Sequence, residues 1–342
     1  MAGEGYRVGV LGATGLVGST ILELLASREF PAAEVRPLAS ARSAGKEIEW
    51  NEEILTVQEI GEDSIQDLDL VLSSAGGSVS AEWAPKIVAA GAVVVDNTSY
   101  FRMEADVPLV VSEVNPEALE GHKGIVANPN CSTMQMVVAL KPLYDEAGIE
   151  RLVISTYQAV SGTGKAAIDE LLEQSHAILH GQEASASVYP HQIAFNPLAQ
   201  AGVFAPGDDH TDEERKLIRE TRKILGDDAI EVSATCIRVP VVTGHSETVN
   251  VQTREPLSAE RARELLEAAP GVTVVDDPAN SRFPMAIEAA GKDDVFVGRI
   301  REDASHAGAL DIWIVADNLR KGAATNAVQL AELLIERELL SR

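Results

Sequence analysis

Asn128-Pro129-Asn130-Cys131-Ser132-Thr133 is the stretch best equipped for chemistry. It is polar, opens with a turn-forming Asn-Pro, and feeds a helix-like apolar run from Met134 to Leu140. That places Cys131 at or near a helix N-terminus. Unpaired backbone N–H groups and the helix dipole there favour a thiolate over a thiol. The thiolate is the form that attacks a carbonyl carbon. An isolated Cys is otherwise a small buried hydrophobe, but the flanking Asn, Asn, Ser and Thr argue against an apolar pocket. Cys236 sits in an apolar run and is expected in the core. Arg238, in the same run from Ile230 to Val242, needs an anion, because an unpaired buried guanidinium is very costly. His245 stands in Gly244-His245-Ser246 at the mouth of the next strand, a few residues away. It suits either an acid–base role or a capped turn. Gln158 ends a strand-like run ahead of Ser161-Gly162-Thr163-Gly164-Lys165. Glu213 and Lys216 share one face of a charged helix at i, i+3, a pattern whose default reading is a solvated surface.

These groups need elements to hold them. Tyr6 to Leu11 reads as a buried strand and is followed at once by Gly12-Ala13-Thr14-Gly15-Leu16-Val17-Gly18 and a helix from Ser19 to about Ala26. Strand, glycine turn and helix form the context in which backbone N–H groups cradle a pyrophosphate. The next strand, Glu34 to Ala39, ends in Ser40-Ala41-Arg42-Ser43. An NAD site wants a carboxylate there; an Arg between two serines suits a 2′-phosphate, so NADP is favoured. Strands at Asp69–Ser73 and Ala92–Asp96 alternate with a helix at Ala81–Ala90, which gives a doubly wound parallel sheet. Asn97 to Arg102 lies just past one strand end, where Arg102 could grip a phosphate or carboxylate, or pair with Glu104 or Asp106. After residue 150, strands at 151–160, 230–242, 248–253 and 310–316 mix with helices at 166–179 and 211–225. That mixture suggests an α+β domain with a mixed or antiparallel sheet, closed by an amphipathic helix at 323–340.

The chain has 342 residues and 45% hydrophobic content, enough for two domains with sizeable cores. Its formal net charge of −25 repels nucleic acid and anionic membrane. No charged-then-apolar leader opens the chain at Met1, and no apolar run is long enough to span a bilayer. The expectation is a reducing cytoplasm, with two cysteines that form no disulfide framework and seven scattered His that form no metal site.

A nucleophilic Cys beside a nicotinamide points to aldehyde oxidation through a thioester. An acceptor then releases the thioester, and several anion sites favour phosphate over water. In these features the chain resembles the bacterial aspartate-semialdehyde dehydrogenases. The resemblance rests on Gly12–Gly18, Leu38–Ser43, Asn128–Thr133, Tyr157–Gly162, Ala234–Pro240, Gly244–Glu247 and Asp317–Gly322, in order over nearly the whole chain. It implies Cys131 as the acyl-thioester nucleophile, His245 as the acid–base group and Gln158 as an orienting residue. Arg238 would bind the substrate α-carboxylate and Glu213 its ammonium, while Lys216, Arg102 and Asn97 would hold phosphate. Gly12, Thr14, Gly15, Leu16, Val17, Gly18, Ser40, Arg42, Ser43, Ser161, Gly162 and Asn318 would contact NADP. The implied reaction is the reversible reductive dephosphorylation of 4-phospho-L-aspartate to L-aspartate 4-semialdehyde, toward lysine, diaminopimelate, methionine and threonine. The implied assembly is a homodimer. The expected division is an N-terminal Rossmann-like domain of residues 1–130 plus a C-terminal helix at 318–342, and a catalytic and dimerisation domain of 131–317. The nearest rival, N-acetyl-glutamyl-phosphate reductase, has an N-acylated substrate that would leave Glu213 without a purpose. An NADP-binding regulator with no chemistry would tolerate loss of Cys131.

Overall fold

The structure, a computed structural model, describes residues 5–340. The chain divides into two compact units, Met1–Asn130 with Ala323–Arg342, and Cys131–Gly322.

The first unit begins with β1 (Tyr6–Leu11), α1 (Leu16–Ser27) and β2 (Ala32–Ala39). A hairpin of β3 (Glu47–Trp50) and β4 (Glu53–Thr56) follows, then β5 (Gln58–Glu59), β6 (Leu70–Ser73), α2 (Gly77–Ala89), β7 (Val93–Asp96) and β8 (Ile125–Ala127). The main sheet has the order β5-β2-β1-β6-β7-β8 and is parallel throughout. β6 and β7 are buried along their whole length, as strands covered on both faces must be. On one face, Ile21 and Leu25 of α1 and Val328 and Leu334 of the C-terminal helix Thr325–Glu336 pack on Val8, Val10, Leu72 and Val95. On the other, Ala84 and Ile87 of α2 meet Leu11, Val71 and Val94. The strand order reverses at β1, which puts the ligand-binding crevice of such a sheet beside the turn that follows β1. The hairpin was not legible beforehand: its turn residues Asn51 and Glu52 take φ of 48° and 67° without the glycine that usually marks such a turn.

The second unit opens with α3 (Cys131–Ala147), then β9 (Ile149–Gln158), α4 (Lys165–Leu179), α5 (Asp212–Leu225), β10 (Glu231–Arg238) and β11 (His245–Thr253). It continues through α6 (Ala259–Ala268), β12 (Val272–Val274), α7 (Ala286–Ala289), β13 (Val295–Glu302) and β14 (Ala309–Ala316). The sheet order is β10-β9-β11-β14-β13-β12, mixed, with β9 antiparallel to β11 and parallel to β10. α3 packs on β9, β11 and β14, and α5 on β10. Along β9, residues 152, 154, 156 and 158 are buried while 153, 155 and 157 are half-exposed, the period of a sheet covered on one face.

Several boundaries differ from expectation. β10 stops at Arg238 instead of running to Val242. Pro240 has no N–H for a ladder, and the Val241 and Val242 carbonyls instead accept from the N–H groups of Val160 and Ser161. β11 begins at His245, not Thr248. The chain passes back to the first unit after Gly322, five residues later than expected. Until then the Asn318 amide is held within the second unit, accepting from the Gly244 N–H (2.9 Å) and donating to Ser161 (2.9 Å).

Candidate active site

Four strand ends define one edge of the second unit's sheet. β9 ends at Gln158 and its parallel neighbour β10 at Arg238; the antiparallel β11 starts at His245, and β14, antiparallel to β11, leads from Ala316 into Asn318. Side chains 158, 238 and 245 are all buried.

Cys131 is the first residue of α3 and is partly exposed, whereas Cys236 is fully buried. The helix start favours negative charge on a group placed there. A Cβ on Gly322 would lie 2.8 Å from the Cys131 Cβ, so a glycine is needed where the chain passes the thiol. Next to Cys131, the Ser132 hydroxyl accepts from Gln158 Nε2 at 3.0 Å. The same amide approaches Glu213 Oε1 at 3.3 Å, and Glu213 Oε2 accepts from Lys216 at 3.1 Å. Thr211 caps α5 in a capping box with Glu214, which fixes the turn that presents Glu213 and Lys216. Burial opposes the charge on Lys216, but Glu213 and Asp212 more than offset it and the amine titrates above its usual range.

His245 is held by its backbone neighbour. The Ala159 N–H donates to Nδ1 at 3.0 Å, so the neutral ring carries its proton on Nε2. Nε2 is buried and meets no hydrogen-bond partner among the described residues. Burial first, then the nearby Arg238 charge, push the imidazole well below its ordinary pKa. Arg238 Nη1 donates to the Ala159 carbonyl at 2.8 Å, while its Nε lacks a partner. Half of the guanidinium fork is anchored and half is uncommitted. A Cβ on Gly162 would stand 3.2 Å from both Arg238 Nη1 and His245 Nε2, so the glycine keeps open the space these groups face. The second unit thus gathers Cys131, Gln158, Ser161, Gly162, Glu213, Lys216, Arg238, His245 and Asn318.

The first unit carries the other expected residues. Gly12 takes φ +87°, and its N–H donates to the Leu38 carbonyl at 2.8 Å. A Cβ on Gly18 would come within 2.1 Å of the Gly12 carbonyl oxygen. α1 therefore starts tight against the turn, and Gly15 at its N-cap offers no capping side chain to compete for the exposed N–H groups. Thr14 and Gly15 are exposed and Leu16 and Val17 half-buried. Ser40 and Arg42 are exposed just past β2, and Thr14 donates to the buried Ser43 at 3.4 Å. This cradle fits a dinucleotide. Beyond β7, Arg102 is buried, its Nε donating to the Asn128 carbonyl (2.9 Å) and Nη2 to the Asn97 carbonyl (2.8 Å). Asn97 is tied to Asn128 at 2.7 Å. Asn128, Gly322 and Glu247 lie inside stretches that carry the family resemblance, yet only the structure shows their surroundings.

The semialdehyde dehydrogenase NAD binding domain matches residues 7–122 and the semialdehyde dehydrogenase dimerisation domain residues 140–321. The aspartate-semialdehyde dehydrogenase of Aquifex aeolicus (strain VF5) is 54% identical over 340 residues, 98% of this chain and 100% of that protein. This chain belongs to the aspartate-semialdehyde dehydrogenase family. Among solved structures, aspartate semialdehyde dehydrogenase II complexed with ASA from Vibrio cholerae superposes with a TM-score of 0.95 at 49% identity, covering 97% of this chain and 99% of that one. The family member with NADP from Candida albicans superposes at 0.75 with 28% identity, covering 98% and 100%. The expected Rossmann-like α/β domain and α+β second domain are both present. Among the described residues of this dehydrogenase no group of His, Cys, Asp or Glu could hold a metal, and no helix is long and apolar enough to cross a membrane.

Proposed function

We propose that this chain reduces 4-phospho-L-aspartate to L-aspartate 4-semialdehyde and phosphate, reversibly, through a thioester on Cys131. The observation that carries the reading is the set at one sheet edge: a thiol at a helix start, an imidazole with an unmatched Nε2, and a half-committed guanidinium. The Cys131 thiolate attacks the acyl carbon, a C–S bond forms, the C–OPO₃ bond breaks, and phosphate leaves. NADPH, when bound, supplies the hydride that converts the thioester carbonyl to a thiohemiacetal. Collapse of that adduct breaks the C–S bond, returns the thiolate and releases the aldehyde. Negative charge grows on the former carbonyl oxygen in each addition. In this reading His245 Nε2–H donates to it, which is the acid half of the acid–base role, and the depressed pKa of the ring favours that neutral form.

Arg238 offers the uncommitted side of its fork to the α-carboxylate. Glu213, next to Gln158, suits the substrate ammonium, which the N-acylated rival substrate lacks. Lys216 in the second unit, and Arg102 with Asn97 in the first, are each assigned to phosphate by family likeness. By the same likeness the turn Gly12–Gly18 with Ser40, Arg42 and Ser43 in the first unit, and Ser161, Gly162 and Asn318 in the second, are each assigned to NADP. The same reading places the reaction in the cytoplasm, ahead of lysine, diaminopimelate, methionine and threonine. It also makes the assembly a homodimer, supported by the half-exposed sheet face that carries Val153, Ser155 and Trp313.

The direct assay runs in reverse: NADPH absorbance should rise with aspartate semialdehyde and NADP only when phosphate is added. A rise independent of phosphate would replace the acyl phosphate with a free acid as product. Arg42 makes no ion pair among the described residues, which leaves its charge for a ligand. Arg42→Ala is expected to weaken NADP use by about 1.5–3 kcal/mol while hardly touching NAD use. Equal losses on both cofactors would remove the 2′-phosphate contact.

A further inference from the structure

Glu247 follows His245 by two residues on β11, so both side chains fall on the covered face of the sheet. It is completely buried, and neither carboxyl oxygen has a hydrogen-bond partner among the described residues. Directly across from it stand Thr156 on β9 and Ile314 on β14, with Cys236 of β10 beyond Thr156. Burial drives the carboxyl well above the usual carboxylate range, while Ser132 and Gln135, in the opening turns of α3, are near enough to pull weakly the other way. The titratable and charged groups nearest it are His245 on its own strand, Cys236 and Arg238 on β10, and Glu213 and Glu214 of α5, which act with it on Cys236. Arg238 gives Nη1 to the Ala159 carbonyl and its charge acts on His245, while none acts on Glu247 to hold it ionised.

Gln135 completes the picture. Its Nε2 approaches the His245 carbonyl at 3.5 Å, and its Oε1 is buried without a donor. A protonated carboxyl both donates and accepts, so it can meet either end of the Gln135 amide or the Ser132 hydroxyl, whereas a carboxylate can only accept. A carboxyl kept here without partners costs stability that an apolar side chain of the same length would not.

We propose that Glu247 is a neutral carboxylic acid that positions the opening of α3 on β11, through Gln135 to the main chain of His245 and through Ser132 to Gln158. It touches no substrate. Its work is to keep the thiol and the imidazole in register, so the inference rests on the roles proposed for Cys131 and His245.

The full-length enzyme and the variants Glu247→Gln and Glu247→Met test it. Glu247→Gln keeps a donor and should retain most of kcat. Because the native carboxyl holds its proton while the unfolded one, with an ordinary pKa of 4.5, releases it, the parent loses stability as pH rises above that value. The melting temperature of Glu247→Gln should therefore exceed the parent's by a margin that grows with pH and vanishes in acid. The pH midpoint of Cys131 alkylation should stay unchanged, since no charge has been removed. Glu247→Met should be no less stable yet lose kcat by about tenfold, the worth of one hydrogen bond. A pH-independent margin, or a lowered alkylation midpoint in Glu247→Gln, overturns the neutral acid. Full kcat in Glu247→Met overturns the positioning. Should Glu247→Met not fold, Gln135→Leu tests the same link: a comparable loss of kcat supports it, and unchanged kcat overturns it. Absence of any aldehyde-dependent NADPH signal in the parent would sink the functional reading instead, leaving the pH-dependent stability of Glu247→Gln to be judged separately.

Discussion

Cys131→Ser is expected to lower kcat by about four orders of magnitude or more, at a substrate KM that changes little. A serine at the head of α3 keeps the size and polarity of the site but is not ionised near neutrality, and His245 is poorly set to take its proton. Nδ1 of His245 is already occupied by the Ala159 N–H, and Nε2 carries the ring proton. The proposed role of Cys131 needs a nucleophile that ionises without help, which a helix start favours for a thiol and not for a hydroxyl. Iodoacetamide should label Cys131 first, with turnover lost in step. Cys236 is protected twice: it is fully buried, and burial pushes its thiol far above the ordinary range despite the opposing Thr156 hydroxyl. Loss of turnover that tracked Cys236, or a serine variant with near-parental kcat, would remove Cys131 from the chemistry.

Much of this was readable from residue order because local and global preferences agree. The parallel sheet announces itself in Leu70-Val71-Leu72 and Val93-Val94-Val95, strands that have no polar side to show and so must be covered twice. The phosphate-cradling turn is legible because only glycine tolerates both φ +87° at residue 12 and the 2.1 Å approach at residue 18. The capping box of α5 is visible as Thr211 and Glu214. Beyond these points long-range geometry decides. Nothing local says that β10 and β11 run in opposite directions and so bring Arg238 and His245 to one sheet edge. The run from Ala259 to Glu302 escaped assignment because its strands are short or interrupted. β12 has three residues, all half-buried, and β13 carries Gly298 and a left-handed Arg299 in its middle. The burial of Glu247 likewise depends on the sheet register and on nothing in its local sequence.

Arg238→Lys should cost about 3 kcal/mol in kcat/KM, roughly 150-fold, from two charge-assisted hydrogen bonds at about 1.5 kcal/mol each. The guanidinium has two tasks. Nη1 holds the Ala159 carbonyl at 2.8 Å beside the space kept open by Gly162, and the buried Nε has no partner among the described residues, which leaves that edge for the proposed carboxylate. A lysine ammonium is a single point of donation, so it can serve the main chain or a carboxylate but cannot form a planar fork to both. Ala159 makes the loss worse than the count of bonds suggests. Its carbonyl anchors Arg238 and its N–H anchors His245, so releasing one side loosens the other. Arg238→Gln separates charge from geometry. It removes the cation that, after burial, holds the imidazole pKa down, so His245 should take a proton at a higher pH than in the parent. A proton on Nδ1 must break the Ala159 bond, so activity in Arg238→Gln should fall away on the acid side at a pH where Arg238→Lys, its charge intact, still holds steady. Circular dichroism spectra matching the parent's would place both losses in the site and not in the fold. Near-parental kcat/KM in Arg238→Lys would assign the substrate carboxylate to another cation, and coincident acid limbs in the two variants would detach His245 from the field of Arg238.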